Sequence, residues 1–286
     1  MDSLKLKAYA KINLAIDLLG KRNDGYNEVK MIMQTIDIFD EISITKIEKG
    51  IVIKCDNNKI PEDSRNIAYK AANIMQSRYD IDCGVKIDIS KNIPIEAGLG
   101  GGSADAAAVI EGMNTLFDLR LNFDTLLKIG EKIGADVPYC ICKNTVLATG
   151  IGEKLLKISN FDSVNVVLIK PNFGISTKQV YKEFDYSLPK ERPDFETLLK
   201  AIENKKISDV AQNMVNVLET VTQKNNPEIR DIKSKLMENG ALGAMMSGSG
   251  STIFALFDSE DMAKKAYNKM KNNNTYQCYL TKTICF

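Results

Sequence analysis

Apolar and polar residues alternate from the start of the chain. Leu4, Leu6, Ala8, Ala10, Ile12, Leu14, Ile16 and Leu18 share one side of an extended backbone; Lys5, Lys7, Tyr9, Lys11, Asn13 and Asp17, with Ala15 among them, share the other. Side chains alternate across a strand, so the run predicts one long strand with one buried face. Lys11 and Asn13 then point the same way. Gly20-Lys21-Arg22-Asn23-Asp24-Gly25 is turn chemistry. Strands are expected near 29–37, 42–47 and 51–54, and a helix over Ser64–Arg78 with Ile67, Ala68, Ala71, Ala72 and Met75 as its apolar stripe. A strand at Val85–Ile89 follows. The next helix buries Ala106, Val109, Ile110, Met113 and Phe117, and Asp124 caps a further helix ending at Gly134.

The pattern changes at Gly150-Ile151-Gly152-Glu153, which reads as a domain boundary. Beyond it the expected elements are a strand at Val164–Lys170, helical stretches within 194–239, strands at 241–246 and 252–257, a helix at 259–271 and a strand near 276–283. Strand, helices, two strands, helix and strand is the order of a ferredoxin-like arrangement.

Composition narrows the classes. A chain of 286 residues suits one large or two average domains, and 44% hydrophobic with 26% charged residues reads as soluble and globular. A net charge of +1 carries no basic excess for nucleic acid or an anionic membrane. No apolar run approaches the roughly 18 residues of a membrane span. Met1–Lys5 shows no apolar signal core, so the six cysteines read as free thiols of a reducing cytoplasm. Cys140 and Cys142 are too close for the common zinc spacing. The chain has no histidine, which removes Ser-His-Asp and Cys-His machinery and histidine-ligated metals. A catalytic proton acceptor must be a carboxylate, a lysine, a tyrosine or a thiolate.

One segment stands out chemically: Pro94-Ile95-Glu96-Ala97-Gly98-Leu99-Gly100-Gly101-Gly102-Ser103-Ala104 follows a strand and opens a helix. Glycines allow close backbone approach and positive φ, and the helix start offers unpaired N–H groups with the positive end of its dipole. That combination binds phosphate. It is neither a Walker A motif nor a dinucleotide fingerprint. The plain alternative is a flexible turn with Ser103 only capping the helix. A second segment, Met246-Ser247-Gly248-Ser249-Gly250-Ser251-Thr252, lies between two short strands; alone it is a turn, but its amides and hydroxyls could close over a phosphate or substrate. A lysine such as Lys11 on a strand face is ordinarily solvated. Asp136, in Gly134-Ala135-Asp136-Val137-Pro138, is ordinarily a turn residue.

Taken together and in this order, the segments resemble the GHMP kinase superfamily over most of the chain. Ala10-Lys11-Ile12-Asn13-Leu14 resembles its first motif, Pro94–Ala104 its phosphate loop and Ser247–Ser251 its third motif. The resemblance implies an α+β, two-domain fold: a ribosomal S5 domain 2-like, ATP-binding domain over 1–152 and a ferredoxin-like domain over 153–286. Lys11-Ile12-Asn13, Gly20–Tyr26, Met33-Gln34-Thr35-Ile36-Asp37 and Gly134–Pro138 resemble one branch, whose acceptor is a methylerythritol carrying a cytidine diphosphate group. It implies ATP-dependent phosphorylation of the acceptor's 2-hydroxyl in non-mevalonate isoprenoid biosynthesis, with ATP and Mg²⁺ as cofactors. Lys11 and Asp136 match the catalytic pair. Pro94–Ala104 matches the phosphate cradle, with Ser103 the candidate Mg²⁺ ligand. Asn66 and Lys91 fall near positions that contact the nucleotide base. Asn13 matches the residue holding the methylerythritol, Tyr26 and Tyr181 the aromatics on either side of cytosine, and Thr177, Ser247 and Gly248 substrate contacts. One position departs from the branch: Asn27 stands where histidine usually reads the cytosine edge, and its amide offers both donor and acceptor.

The implied partners are small molecules, with no nucleic acid and no membrane, for a cytoplasmic monomer or homodimer. Three readings compete: another GHMP kinase, of homoserine or mevalonate type; a non-catalytic binding protein on the same fold; and a ribosome-associated domain, which the near-neutral charge disfavours.

Overall fold

The computed structural model describes residues 1–272 and 275–286. Two compact units share the chain. The first comprises Met1–Ala10, Ile38–Ile93 and Gly100–Cys142; the second comprises Lys11–Asp37, Pro94–Leu99 and Lys143–Phe286. The strands β1 (Ser3–Lys21) and β2 (Asn27–Ile47) pass through both. They form one long hairpin, with Lys46 N donating to Asp2 O at one end and Arg22 N to Tyr26 O at the other.

In the first unit, β3 (Ile51–Cys55), α1 (Ile67–Arg78), β4 (Gly84–Ser90), α2 (Gly101–Leu116), α3 (Phe123–Glu131) and α4 (Val137–Cys142) follow. The sheet order is β3-β4-β2-β1, with β3 parallel to β4 and β4 antiparallel to β2. The alanine-rich face of α2 lies hard on this sheet: a Cβ on Gly112 would stand 2.6 Å from Ile44 Cδ1 and 2.8 Å from Leu6 Cδ1. Two strands expected near 29–37 and 42–47 are one. Asp40, the polar break between them, is fully buried and accepts main-chain N–H bonds from Asn92 and Ile93, so the strand need not end there. Helix α1 starts at Ile67, after the Asn66 side chain has accepted from Ala68 N as the N-cap. Asn122, not Asp124, caps α3, which ends at Glu131 rather than Gly134. The short α4 was not expected; all six of its residues are buried, and Pro138 sits in its first turn, where a missing N–H costs nothing.

The second unit continues with β5 (Thr145–Gly150), β6 (Lys154–Lys157), β7 (Asn165–Pro171), α5 (Thr177–Glu183), α6 (Phe195–Glu203), α7 (Ile207–Gln212), β8 (Val215–Asn216), α8 (Glu219–Asn225), α9 (Glu228–Glu238), β9 (Gly243–Met246), β10 (Ile253–Phe257), α10 (Glu260–Lys271) and β11 (Tyr276–Lys282). Here β6-β5-β2-β1-β8 are neighbours, and Gly150–Glu153 turns the β5–β6 hairpin. A separate antiparallel sheet has the order β11-β7-β10-β9, with α9 and α10 packed on it. Counted along the chain this is fourth-first-third-second, the expected ferredoxin-like order. Among the described residues, no helix is long and apolar enough to cross a membrane.

The single buried face expected of β1 holds only at its start. From Ala10 to Leu18 both faces are buried, and Lys11 is 4%, Asn13 0% and Asp17 6% exposed. Leu99 and Gly248 approach Lys11, and Arg192 binds Asp17, so the polar face is covered by loops that alternation alone cannot reveal.

Gln34 of β2 anchors residues 283–286. Its Nε2 donates to the carbonyls of Thr35 at 2.8 Å and Ile284 at 3.0 Å, its Oε1 accepts from Thr145 Oγ1 at 2.6 Å, and Ile284 N returns a bond to Thr35 O at 3.0 Å. Gln34 is fully buried, so Gln34→Leu strands several polar groups at once. It is expected to lower unfolding free energy by about 3 kcal/mol. Urea denaturation with an unchanged slope checks this; a variant as stable as the parent refutes it.

Candidate active site

In the first unit, Lys91 and Ile67, the neighbour of Asn66, lie against the start of α2. Its N-cap, Gly100, is left-handed (φ 72°) and supplies no side-chain cap. The first intrahelical bond is Ala104 N to Gly100 O, at 2.9 Å. The amides of Gly101, Gly102 and Ser103 therefore precede it and are the helix's orphan donors. The reading in which Ser103 merely caps the helix is thereby corrected. With the dipole behind them, these amides suit an anionic oxygen cluster.

Beneath this start lies a buried ion cluster. Lys91 Nζ bridges Asp40 and Asp105, the latter at 2.9 Å, with all three side chains at most 5% exposed. Burial alone would lower the lysine's pKa, yet the Asp105 and Asp40 carboxyls hold it above its ordinary value. Burial pushes the Asp105 carboxyl well above the usual carboxylate range, against the pull of Lys91. Asn66, buried, uses its Oδ1 to cap α1 and its Nδ2 to bind Pro61 O at 3.0 Å. Asp136 is partly buried, and its carbonyl accepts from Cys140 N at 3.0 Å to begin α4. Helix α3 holds that turn closely: a Cβ on Gly130 would meet Val137 Cγ1 at 3.1 Å and Ile141 Cδ1 at 3.2 Å.

In the second unit the structure brings Lys11, Asn13, Gly98, Ser247 and Gly248 together. Lys11 Nζ donates to Asn13 Oδ1 at 2.8 Å, and Lys11 N donates to Leu99 O at 3.0 Å. A Cβ on Gly248 would lie 3.0 Å from Gly98 O and 3.5 Å from Lys11 Nζ. Ser247 Oγ donates to Gly98 O at 3.0 Å, and Thr252 N to Ala97 O at 3.2 Å. The third motif is thus bonded to the Pro94–Leu99 segment, where Glu96 (φ 52°) and Gly98 (φ 73°) are left-handed. Thr177 Oγ1 and Ser249 Oγ share a hydrogen bond of 2.8 Å.

Tyr26 projects from the β1–β2 turn, 60% exposed. Asp24 shapes that turn by accepting from Tyr26 N at 3.1 Å, and Arg22 pairs with both Asp24 and Glu28. Asn27 accepts from the Tyr186 hydroxyl, leaving its amide hydrogens for another partner. Arg192 donates to Asp17 at 2.6 Å and to Tyr186 O at 3.0 Å. Tyr181 lies on α5, partly buried.

Several supporting residues escaped the sequence reading. Asn216 Nδ2 donates to Met246 O and Gly248 O, each at 2.8 Å, and so holds the third motif. Its only signal was an asparagine set between Val215 and Val217. Asp105 gave none beyond being a carboxylate between alanines, and Asp40, beside Glu41, gave none.

Comparison with known proteins identifies the family. The GHMP kinases N terminal domain matches residues 66–144 and the GHMP kinases C terminal domain residues 198–275. A 4-diphosphocytidyl-2-C-methyl-D-erythritol kinase of Acetivibrio thermocellus is 54% identical over 99% of this chain and 100% of its own. One of the same description from Clostridium kluyveri is 51% identical, covering 98% and 99%. A crystal structure of 4-(cytidine 5'-diphospho)-2C-methyl-D-erythritol kinase superposes with a TM-score of 0.85 at 26% identity, covering 99% of this chain and 100% of that one. Homoserine kinase from Cytophaga hutchinsonii, at 22% identity and a TM-score of 0.79 over 99% of this chain and 95% of its own, shares the fold. With half of its residues shared along its whole length, the chain belongs to the GHMP kinases, in the family of 4-diphosphocytidyl-2-C-methyl-D-erythritol kinases.

Proposed function

We propose that this chain transfers the γ-phosphoryl group of ATP to the 2-hydroxyl of 4-diphosphocytidyl-2-C-methyl-D-erythritol, a step of non-mevalonate isoprenoid precursor biosynthesis. The observation that carries this is identity of about half with kinases of that description over the full chain. Residues 1–152 form the proposed ATP-binding domain and 153–286 its partner domain, each containing one of the two matched segments.

Phosphoryl transfer passes through a loose transition state, so positioning and charge neutralisation supply most of the rate. The phosphates lie along Gly98–Ser103, where an uncapped helix start offers amides to an anion. The same donors suit a metal-bound triphosphate, with Ser103 the proposed ligand; Mg²⁺ supplies charge neutralisation on the phosphate oxygens. Asp136 accepts the proton of the attacking hydroxyl, and Lys11 polarises that hydroxyl and stabilises developing charge. Asn13 orients the methylerythritol, aided by Thr177, Ser247 and Gly248. Tyr26 and Tyr181 take the two faces of cytosine, and Asn27 reads its edge. Asn66 lies toward the nucleotide base.

Incubation with 4-diphosphocytidyl-methylerythritol and Mg·ATP, followed by phosphorus NMR, tests the reading. A new phosphomonoester resonance matching ADP release is expected; transfer only to homoserine or mevalonate, or to no acceptor, refutes it. Cytosine stacking supplies binding energy remote from the reacting hydroxyl. Free methylerythritol phosphate is therefore expected to show kcat/KM lower by roughly 10²-fold. Equal turnover of the truncated acceptor counts against the two tyrosines.

A further inference from the structure

We infer that Lys91 is a positioning residue for the nucleotide's phosphates: with Asp40 and Asp105 it fixes where the amides at the start of α2 stand, rather than touching the base. This rests on the kinase reading above. The Lys91 side chain is 4% exposed, and its ammonium is taken up by two carboxyls, so it presents almost no surface to an adenine. What it does touch is structural. Asp40 Oδ1 accepts from Asn92 N at 2.6 Å and Ile93 N at 2.8 Å while its other oxygen holds Lys91, so one buried carboxylate grips three consecutive residues leading into the glycine segment. Asp56 grips the same stretch from outside, accepting from Lys91 N at 3.0 Å and Ser90 Oγ at 2.7 Å. On the far side, Asp105 belongs to α2 itself.

The cluster also bears on the helix start directly. A Cβ on Gly101 would meet Ile93 Cγ2 at 3.0 Å and Lys91 Nζ at 3.3 Å, so the first residue of α2 rests on the end of this lysine. Charge neutrality within the cluster is needed, since an unpaired buried charge there destabilises strongly. Lys91 acts as an internal cation linking β2, the exit of β4 and α2. Removing it leaves two facing carboxyls with no cation between them, and the helix start loses the side chain it rests on.

Positioning and base contact make different forecasts. Lys91→Met keeps length and removes charge. If the lysine sets the amides, ATP and inorganic tripolyphosphate, which has no base, lose affinity together, by roughly tenfold or more, since small misplacements cost such factors. KM for the acceptor stays within about twofold. Calorimetric titration with tripolyphosphate, with steady-state KM for ATP and acceptor beside it, reads all three. Loss of ATP affinity with tripolyphosphate binding unchanged overturns the inference in favour of base contact; a fall in kcat with both nucleotide constants unchanged overturns it too. Should Lys91→Met fail to fold, Asp105→Asn, which keeps an acceptor for the ammonium, is expected to shift both ligands by an equal, smaller factor; a shift of ATP alone overturns the inference. Tripolyphosphate binding does not depend on the acceptor, so failure of the acceptor assignment shows separately, as wild-type binding without transfer.

Discussion

Asp136→Asn and Lys11→Ala are each expected to lower kcat by roughly 10²-fold or more, the range of general-base and electrostatic losses. The main-chain carbonyl of Asp136, not its carboxylate, starts α4, so the asparagine variant keeps that turn. Its loss should therefore appear in kcat with melting temperature nearly unchanged. Lys11→Ala acts in two ways. It removes the charge proposed to face the acceptor, and it deprives the buried Asn13 Oδ1 of the Lys11 donor. The second effect predicts a raised KM for the acceptor with Lys11→Ala and not with Asp136→Asn. Steady-state kinetics on both variants checks the pair. Near wild-type turnover in both would show that neither side chain acts on the reacting hydroxyl.

Gly98→Ala is expected to be the most damaging glycine substitution in the phosphate segment. Two costs coincide there. Gly98 has φ 73°, where a side chain costs about 1–2 kcal/mol. The new Cβ would also drive into the Ser247 carbonyl oxygen, well inside van der Waals contact. That carbonyl cannot yield freely, because it accepts from Gly250 N at 2.9 Å while Ser247 Oγ binds Gly98 O. Stability should fall by upwards of about 3 kcal/mol. ATP affinity should fall with it, since the same turn belongs to the proposed phosphate segment. Gly25→Ala is the control: φ there is 86°, but nothing lies within 4 Å of the new methyl. It should show the conformational cost alone. Thermal melts and ATP titrations on the two variants compare the effects directly, and equal damage would refute the close packing at Gly98.

Much of this arrangement was legible in local pattern. Alternation from Leu4 to Leu18 marked β1, and the turn expected over Gly20–Gly25 begins later, after Lys21, with Gly25 in it. The glycine segment announced the uncapped start of α2, because strand, glycines and helix occur there together. Elements whose information is tertiary were missed. Helix α4 is six residues, buried all round and interrupted by Pro138, so it shows no amphipathic stripe. Strands β5 and β6 lie at the expected domain boundary, where glycines drew attention to the turn and away from its flanks. The single strand β2 was read as two, because the partners that let Asp40 lie within it, Asn92 and Ile93, are some fifty positions away. At the candidate site, motif order proposed Lys11 and Asp136 but could not show the burial of Lys11, which depends on loops remote in sequence. Lys91 shows the same limit, since residue type alone cannot separate a ligand contact from an internal counter-ion.

The bond from Ser247 Oγ to Gly98 O spans 149 positions. Thr252 N and Ala97 O close the same junction one step further out. Contacts so distant along a polypeptide carry a large loop-closure entropy cost. During translation, a nascent chain that has not yet emerged past Thr252 has the glycines but lacks the clasp that gives them their shape. The left-handed turn at Gly98 is thus expected to be lost in a chain truncated before residue 247, although every glycine of the segment is still present.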